Sequence, residues 1–258
     1  MTVSIAMAGK GGTGKTSLAG LIIRELLNHN LTPVLAVDAD PAANLGLGIG
    51  LDTNLTVGSV LAGFNEDKIS IPSGMAKESF LNIKLSETIV ESCGIDLITM
   101  GRGEGAGCYC FPNSVLKHFI DQLTPNYRYL VIDNEAGLEH LSRGTTGEVD
   151  HLILVSNHSI KGVRTLRSIL NLVAEMGLTI KQKWVVINQA PKVIDPLVFE
   201  ELDRLKLTVD AVIPQDAQIM EYDWHQKSLL DLPEEAAAVA ALNALMAKII
   251  PMDPERKE

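Results

Sequence analysis

The chain has 258 residues, enough for one large α/β core and too few to demand two domains. Hydrophobic residues make up 46% and charged residues 21%, a globular balance, and with aromatics at only 4% the core must be built mainly from aliphatic side chains. A net charge of -10 without an arginine-rich block argues against a nucleic-acid binder, and the lack of any run of about 18 apolar residues argues against a membrane span.

The first element is "VSIAMA" at 3–8, an apolar, β-branched strand. No basic stretch or long apolar run precedes it, so the start does not read as a secretory leader, and the cytoplasm is the expected compartment. Thiols stay reduced there, and closely spaced cysteines then read as metal-binding or redox-active before they read as a structural disulfide.

"GKGGTGKT" follows, from Gly9 to Thr16, with helical apolar spacing over 14–29. Strand, glycine-rich turn and helix are the context a phosphate loop requires. Gly9, Gly11, Gly12 and Gly14, with Thr13 between, let backbone amides turn towards phosphates, and the helix N-terminus adds its partial positive charge. Lys15 can reach the β- and γ-phosphates, Thr16 offers a hydroxyl to Mg²⁺, and Ser17 completes the binding stretch, with ATP or ADP as the expected nucleotide. Lys10, directly after the first glycine, is extra to that scheme. This loop resembles the deviant Walker A family, which includes the MinD, ParA, nitrogenase iron protein and arsenite-pump ATPases. The resemblance implies a homodimer in which Lys10 reaches the partner's nucleotide and neutralises charge developing in phosphoryl transfer.

The second strand, "PVLAVD" at 33–38, runs into "VDADPAANLG". Asp38 and Asp40 stand where a strand delivers its C-terminal end to a ligand crevice. One can hold the water ligands of Mg²⁺ and the other can orient the attacking water. In the resembled family this is the switch I segment, with Asp40 as the water-activating position. An Asx turn at Asp40-Pro41 is the plainer alternative. Residues 52–92 are more polar, with short possible strands at 69–71 and 82–84, and read as an excursion over the C-terminal edge of the sheet. Cys93, just before a further strand at 95–100, reads as structural.

"GAGCYCFPN" spans Gly105 to Asn113. In extended chain Cys108 and Cys110 project to one side with Cα atoms about 6.6 Å apart, near the outer limit for a disulfide. A shared metal ion suited to thiolates, Zn²⁺, Cu(I) or, in a planar field, Ni²⁺, spans that gap more easily. One pair supplies half of a four-ligand site, and a two-fold dimer supplies the rest. Two inert packing cysteines are the alternative.

After a helical pattern at 113–123, "YLVID" at 129–133 ends on Asp133, a Walker B pattern whose carboxylate binds Mg²⁺. Gly137 matches the switch II glycine of the resembled family, Glu135 departs from the proline common in its MinD branch, and His140 has no assigned role. Strands at 151–156, 183–188 and 207–214 alternate with helices at 160–175 and 196–205, and a last helix covers 233–248. Asn188 and the run Pro214, Gln215 and Asp216 lie at strand ends, where related ATPases hold the adenine. Any of them could equally be a turn residue.

Apolar strands separated by helices specify an α/β fold, a doubly wound, mostly parallel sheet with helices on both faces. Residues 1–258 are expected to form a single P-loop ATPase domain, with the C-x-C loop near 104–112. "GKGGTGKT", "VDADPAANL", "GCYC" and "YLVIDNEAGLEHLSRGT" together resemble the CooC family of nickel-associated ATPases, with a related AcsF branch. What the resemblance implies is an ATP-dependent homodimer that holds Ni²⁺ or Zn²⁺ between subunits and serves carbon monoxide dehydrogenase or acetyl-CoA synthase as client. The rival readings are a positioning ATPase of the ParA or MinD type, and a redox ATPase with an iron–sulfur cluster bridging the subunits. The first lacks a basic patch or membrane-seeking tail, and the second would place its ligands differently from the nitrogenase protein.

Overall fold

The computed structural model describes residues 1–65, 71–101, 118–135 and 148–250. Among them eight strands form one sheet: β1 (Val3–Gly9), β2 (Val34–Ala39), β3 (Ile89–Ser92), β4 (Ile95–Thr99), β5 (Tyr129–Asn134), β6 (Glu148–Ser156), β7 (Thr179–Ala190) and β8 (Ala211–Pro214). Their order is β3-β4-β2-β5-β1-β6-β7-β8. Only β3 runs antiparallel to its neighbour; every other pair is parallel. The central strands are buried along almost their whole length, because helices cover both faces and leave no side of the pleat for water.

Among the described residues the α-helices with both ends described are, in chain order, α1 (Lys15–Asn28), α2 (Leu45–Ile49), α3 (Val57–Asn65), α4 (Lys77–Ser86), α5 (Ile160–Glu175), α6 (Pro196–Arg204), α7 (Ala217–Trp224) and α8 (Ala237–Ile249). Strand alternation divides the interior into two cores. Ile5, Met7, Val34, Ala36, Val131 and Leu97 face α1, α2 and α8, which contribute Leu18, Ile22, Leu45, Val239 and Leu242. Ala6, Ala8, Leu35, Val37 and Ile132 face the other way, towards Val57 and Leu61 of α3, Leu81 and Leu85 of α4, and Val163 and Leu166 of α5. Each fully buried Val, Leu or Ile contributes about 1.5–3 kcal/mol relative to exposure. The helix anticipated over 233–248 buries Ala238, Leu245 and Ile249 and packs on the domain as expected.

Two expectations fail here. Residues 82–84 are helical, inside α4, because Phe80, Leu81 and Leu85 recur at helical spacing and bury one face, and Lys84 pairs with Glu87 at 2.8 Å. The stretch 52–92 is therefore more than an excursion over the sheet edge: α3 and α4 close one core, and β3 adds an edge strand. The expected strand at 69–71 falls mostly outside the described residues; residue 71 itself is in neither strand nor helix. Of the expected helix at 113–123, residues 118–123 are described and helical.

Candidate nucleotide site

β1 carries the chain to Gly9, which lies flush on β6; a Cβ there would run into the Val155 carbonyl oxygen. The loop then turns through Gly12 and Gly14, both at φ 79°, a left-handed conformation that glycine adopts without strain. Thr13 closes the turn from within, its amide and hydroxyl donating to the Lys10 carbonyl at 3.4 and 2.8 Å. Gly14 stands at the N-cap of α1 with no side-chain cap and no acidic residue in the first turn, so the helix's leading amides remain available to an anion.

Lys15 is buried, and its ammonium donates to the Lys10 carbonyl at 3.4 Å. Burial lowers its pKa, against the pull of Asp133, Asp40 and Glu135. Lys10, Gly11 and Gly12 are exposed, and Thr16 and Ser17 lie half-buried at the start of α1. Among the described residues the Lys10 ammonium meets no carboxylate.

β2 and β5 place two carboxylates side by side. Asp38 is opposite Asp133 in the β2–β5 register, and Asp133 is opposite Met7 in the β1–β5 register. Asp38 accepts hydrogen bonds from the amides of Leu45 (2.9 Å) and Asp40 (3.1 Å). Burial raises its pKa to about 6. Asp133 is only 1% exposed, and neither of its oxygens closes a hydrogen bond among the described residues. Burial pushes its pKa to about 7, with the nearby Thr16 hydroxyl working against that rise and the charge of Asp38 adding to it.

A buried carboxylate left without donors costs free energy unless a cation completes it. Asp133 beside the Thr16 hydroxyl therefore fits Mg²⁺, an oxygen-seeking ion that takes one or two protein ligands and leaves the rest to phosphate and water. Asp40 is half-buried and makes an Asx turn, one oxygen accepting from the Ala42 amide at 2.8 Å. The turn and the suggested reactive role coexist, since the second oxygen is not committed to that bond.

On the other side of the loop a cleft of about 290 Å³ is lined by Ser17, Asn188, Pro214, Gln215 and Asp216, so all four strand-end residues named for the base share one wall. Two of them also hold the protein together. The Asn188 amide donates to the carbonyls of Thr13 (2.9 Å) and Gly14 (3.4 Å), bracing the phosphate loop from β7. Asp216 caps α7 through the Gln218 amide (2.9 Å) and binds the Ala238 amide at the start of α8 (3.0 Å). His158, Gln189 and Met220 also line the cleft and were not anticipated. His158 follows β6 by two residues, so the strand-end rule that singled out Asn188 applies to it as well.

Cys108 and Cys110 lie outside the described residues, as do Gly137 and His140. Cys93, expected to be structural, is instead exposed in the turn between β3 and β4, where a two-strand edge leaves it no core to enter. Among the described residues no group of three or more His, Cys, Asp and Glu could hold a metal ion. Among them, too, no helix is long and apolar enough to cross a membrane.

The sequence matches the family described as an AAA domain over residues 1–186. It is 38% identical to an uncharacterised ATP-binding protein of Methanocaldococcus jannaschii, over 95% of this chain and 98% of the relative. It is 29% identical to the carbon monoxide dehydrogenase accessory protein CooC of Rhodospirillum rubrum, over 96% of each. The fold superposes on the septum site-determining protein MinD of Pyrococcus horikoshii, solved with Mg-ADP, with a TM-score of 0.69 at 24% identity over 96% of both chains.

Proposed function

Because this chain belongs to the AAA-domain family and is a P-loop ATPase of the MinD/ParA type, we propose that it works as an ATP-driven homodimer that assists nickel insertion into the cluster of carbon monoxide dehydrogenase or acetyl-CoA synthase. The observation that carries the proposal is likeness along nearly the whole of the CooC accessory protein, together with a C-x-C pair at Cys108 and Cys110. In this reading residues 1–258 act as one ATPase unit in the cytoplasm, and nickel is cargo; zinc is the other metal the thiolates would accept.

The chemistry assigned to each residue follows from its place. The loop amides and the α1 N-terminus receive the phosphates. Lys15 moves from the Lys10 carbonyl to the β- and γ-phosphates, whose negative charge replaces a neutral acceptor. Thr16 and Asp133 would hold Mg²⁺, with Asp38 beside them, and that ion would supply charge neutralisation between the phosphates. Asp40 orients the water that attacks the γ-phosphorus as the bond to the β–γ bridging oxygen breaks, giving ADP and phosphate. Lys10, exposed and unpaired with any described carboxylate, extends towards the partner's nucleotide. Asn188, Pro214, Gln215 and Asp216 flank the adenine.

Support for coupling to the cysteines comes from the stem of their segment. β4 runs beside β2, and the Met100 amide, just past its end, donates to the Asp38 carbonyl at 2.8 Å. The chain then continues towards Cys108 and Cys110. The test is activation of a nickel-free client with Ni²⁺ and ATP, compared with a non-hydrolysable analogue and with the C108S/C110S double variant. We expect activation only with ATP and both cysteines, and nucleotide binding unchanged in the double variant. Metal stoichiometry and client activation identical to the unmodified protein in that variant would sink the reading.

A further inference from the structure

Thr99 is the last residue of β4 and is fully buried, yet its hydroxyl has no hydrogen-bond partner among the described residues. It stands opposite Asp38 in the β2–β4 register, on the side of β2 away from Asp133. Alternation puts the three side chains on one face: Leu97, Ala36 and Val131, two residues before each, all belong to the core beneath α1. The first turn of α2 packs over Leu97 on that same face, so closely that a Cβ on Gly46 would stand 3.1 Å from the Leu97 side chain.

A hydroxyl buried without a partner is costly, and proteins retain such groups where another state uses them. The candidate acceptor is its register neighbour. Both hydrogen bonds to the Asp38 carboxylate come from amides of one segment, Asp40 and Leu45. That segment holds Ala43 at φ 54°, a left-handed conformation that an alanine occupies only under strain. Any shift of Asp40 to Leu45 around a γ-phosphate, the kind of ordering that nucleotide switches undergo, removes both donors together. Asp38 would then be a buried carboxylate without its two backbone donors, level with the Thr99 hydroxyl.

We propose that Thr99 is a positioning residue for ATP hydrolysis, its hydroxyl taking over as the donor that fixes Asp38 when the Asp40–Leu45 segment moves. The inference rests on the reading of Asp38 as a nucleotide-site carboxylate, and not on the identity of the metal or the client. In the state described here the hydroxyl contributes nothing, so its removal leaves the resting protein as stable as before or more so.

Steady-state hydrolysis by Thr99→Val, Thr99→Ala and Thr99→Ser tests this with ATP and Mg²⁺. The valine and alanine forms should lose about tenfold in kcat with KM for ATP within about twofold of wild type, the size expected for a lost hydrogen bond to a charged group. Serine should restore turnover, and the valine form should melt no lower than wild type. The alanine form keeps the test standing if valine disturbs folding. Wild-type turnover in both hydroxyl-free variants, or a serine form as slow as valine, overturns the proposal. Asp38→Asn separates the two levels: if it hydrolyses ATP normally, the reading of Asp38 fails, whereas a slow Asp38→Asn beside a fast Thr99→Val removes only the role of Thr99.

Discussion

Two acidic regions of this molecule obey opposite rules. On the outer helices, Glu201 receives Arg164 at 2.7 Å and Arg204 at 2.5 Å, and hydrogen bonds from Arg204 and then Arg164 hold its pKa down at about 2. At the ends of β2 and β5, Asp38 and Asp133 lie buried, with no arginine supplied among the described residues, and their pKa values rise to about 6 and 7 through loss of water. The first region is complete as it stands. The second is assembled at a cost in the resting protein, and no described residue neutralises it. The contrast marks out a binding site more surely than acidity alone, since both regions are acidic.

Neutralising each region in turn should break the contrast. The largest effect is expected for Asp133→Asn: ATP hydrolysis should fall by about 100-fold, as when a preorganised electrostatic group is lost. The same change removes a carboxylate that the fold holds against its solvation, so the nucleotide-free protein should melt about 5 °C higher in a thermal scan. A variant that loses activity and also melts lower would show Asp133 to be a structural acid like Glu201.

A second, intermediate effect concerns pH. Asp38 and Asp133 have folded pKa values above the ordinary 3.8, so the folded state binds their protons more tightly than the unfolded chain does. The stability this contributes is fully present below pH 3.8 and is lost as pH rises through about 6 and 7. Lys15, Thr16 and Asp40 face the same pocket, and Lys15 favours the ionised form of Asp133. His151 works in the opposite direction, because burial lowers its pKa and the unfolded chain takes up the proton more readily. The pair is isolated by comparison: between about pH 5 and 8 the melting temperature of the nucleotide-free wild type should fall relative to Asp133→Asn, and Mg²⁺ with ADP should flatten the difference. Parallel curves for the two proteins would refute the assignment. The smallest effect belongs to the other region. Glu201→Gln should lower the melting temperature by about 1 °C and leave hydrolysis unchanged, because exposed arginine heads contribute little.

Much of this arrangement was legible in the sequence, for reasons that differ from element to element. The central strands announce themselves because burial on both faces makes "VSIAMA" and "YLVID" continuous apolar runs. The phosphate loop is legible because glycines at fixed offsets are needed for Gly12 and Gly14 to reach φ 79°. β3 was missed because "IVES" is an edge strand, half-buried at best, with no apolar run to display. α4 was mistaken in part for a strand because three residues are too few to separate a period of two from a period of 3.6. Thr99 gave no signal at all. A threonine closing an apolar strand looks ordinary until its hydroxyl is found buried, unpartnered and level with Asp38.

The amide of Asn188 holds two carbonyls of the phosphate loop while its side chain forms part of the wall of the neighbouring cleft. One residue is thus a fastener for the loop and, in the proposed reading, a surface for the base. A flat heteroaromatic inhibitor that drew this amide into its own hydrogen bonds would slacken the loop without carrying any phosphate. Potency and displacement of nucleotide would then be linked through a single side chain.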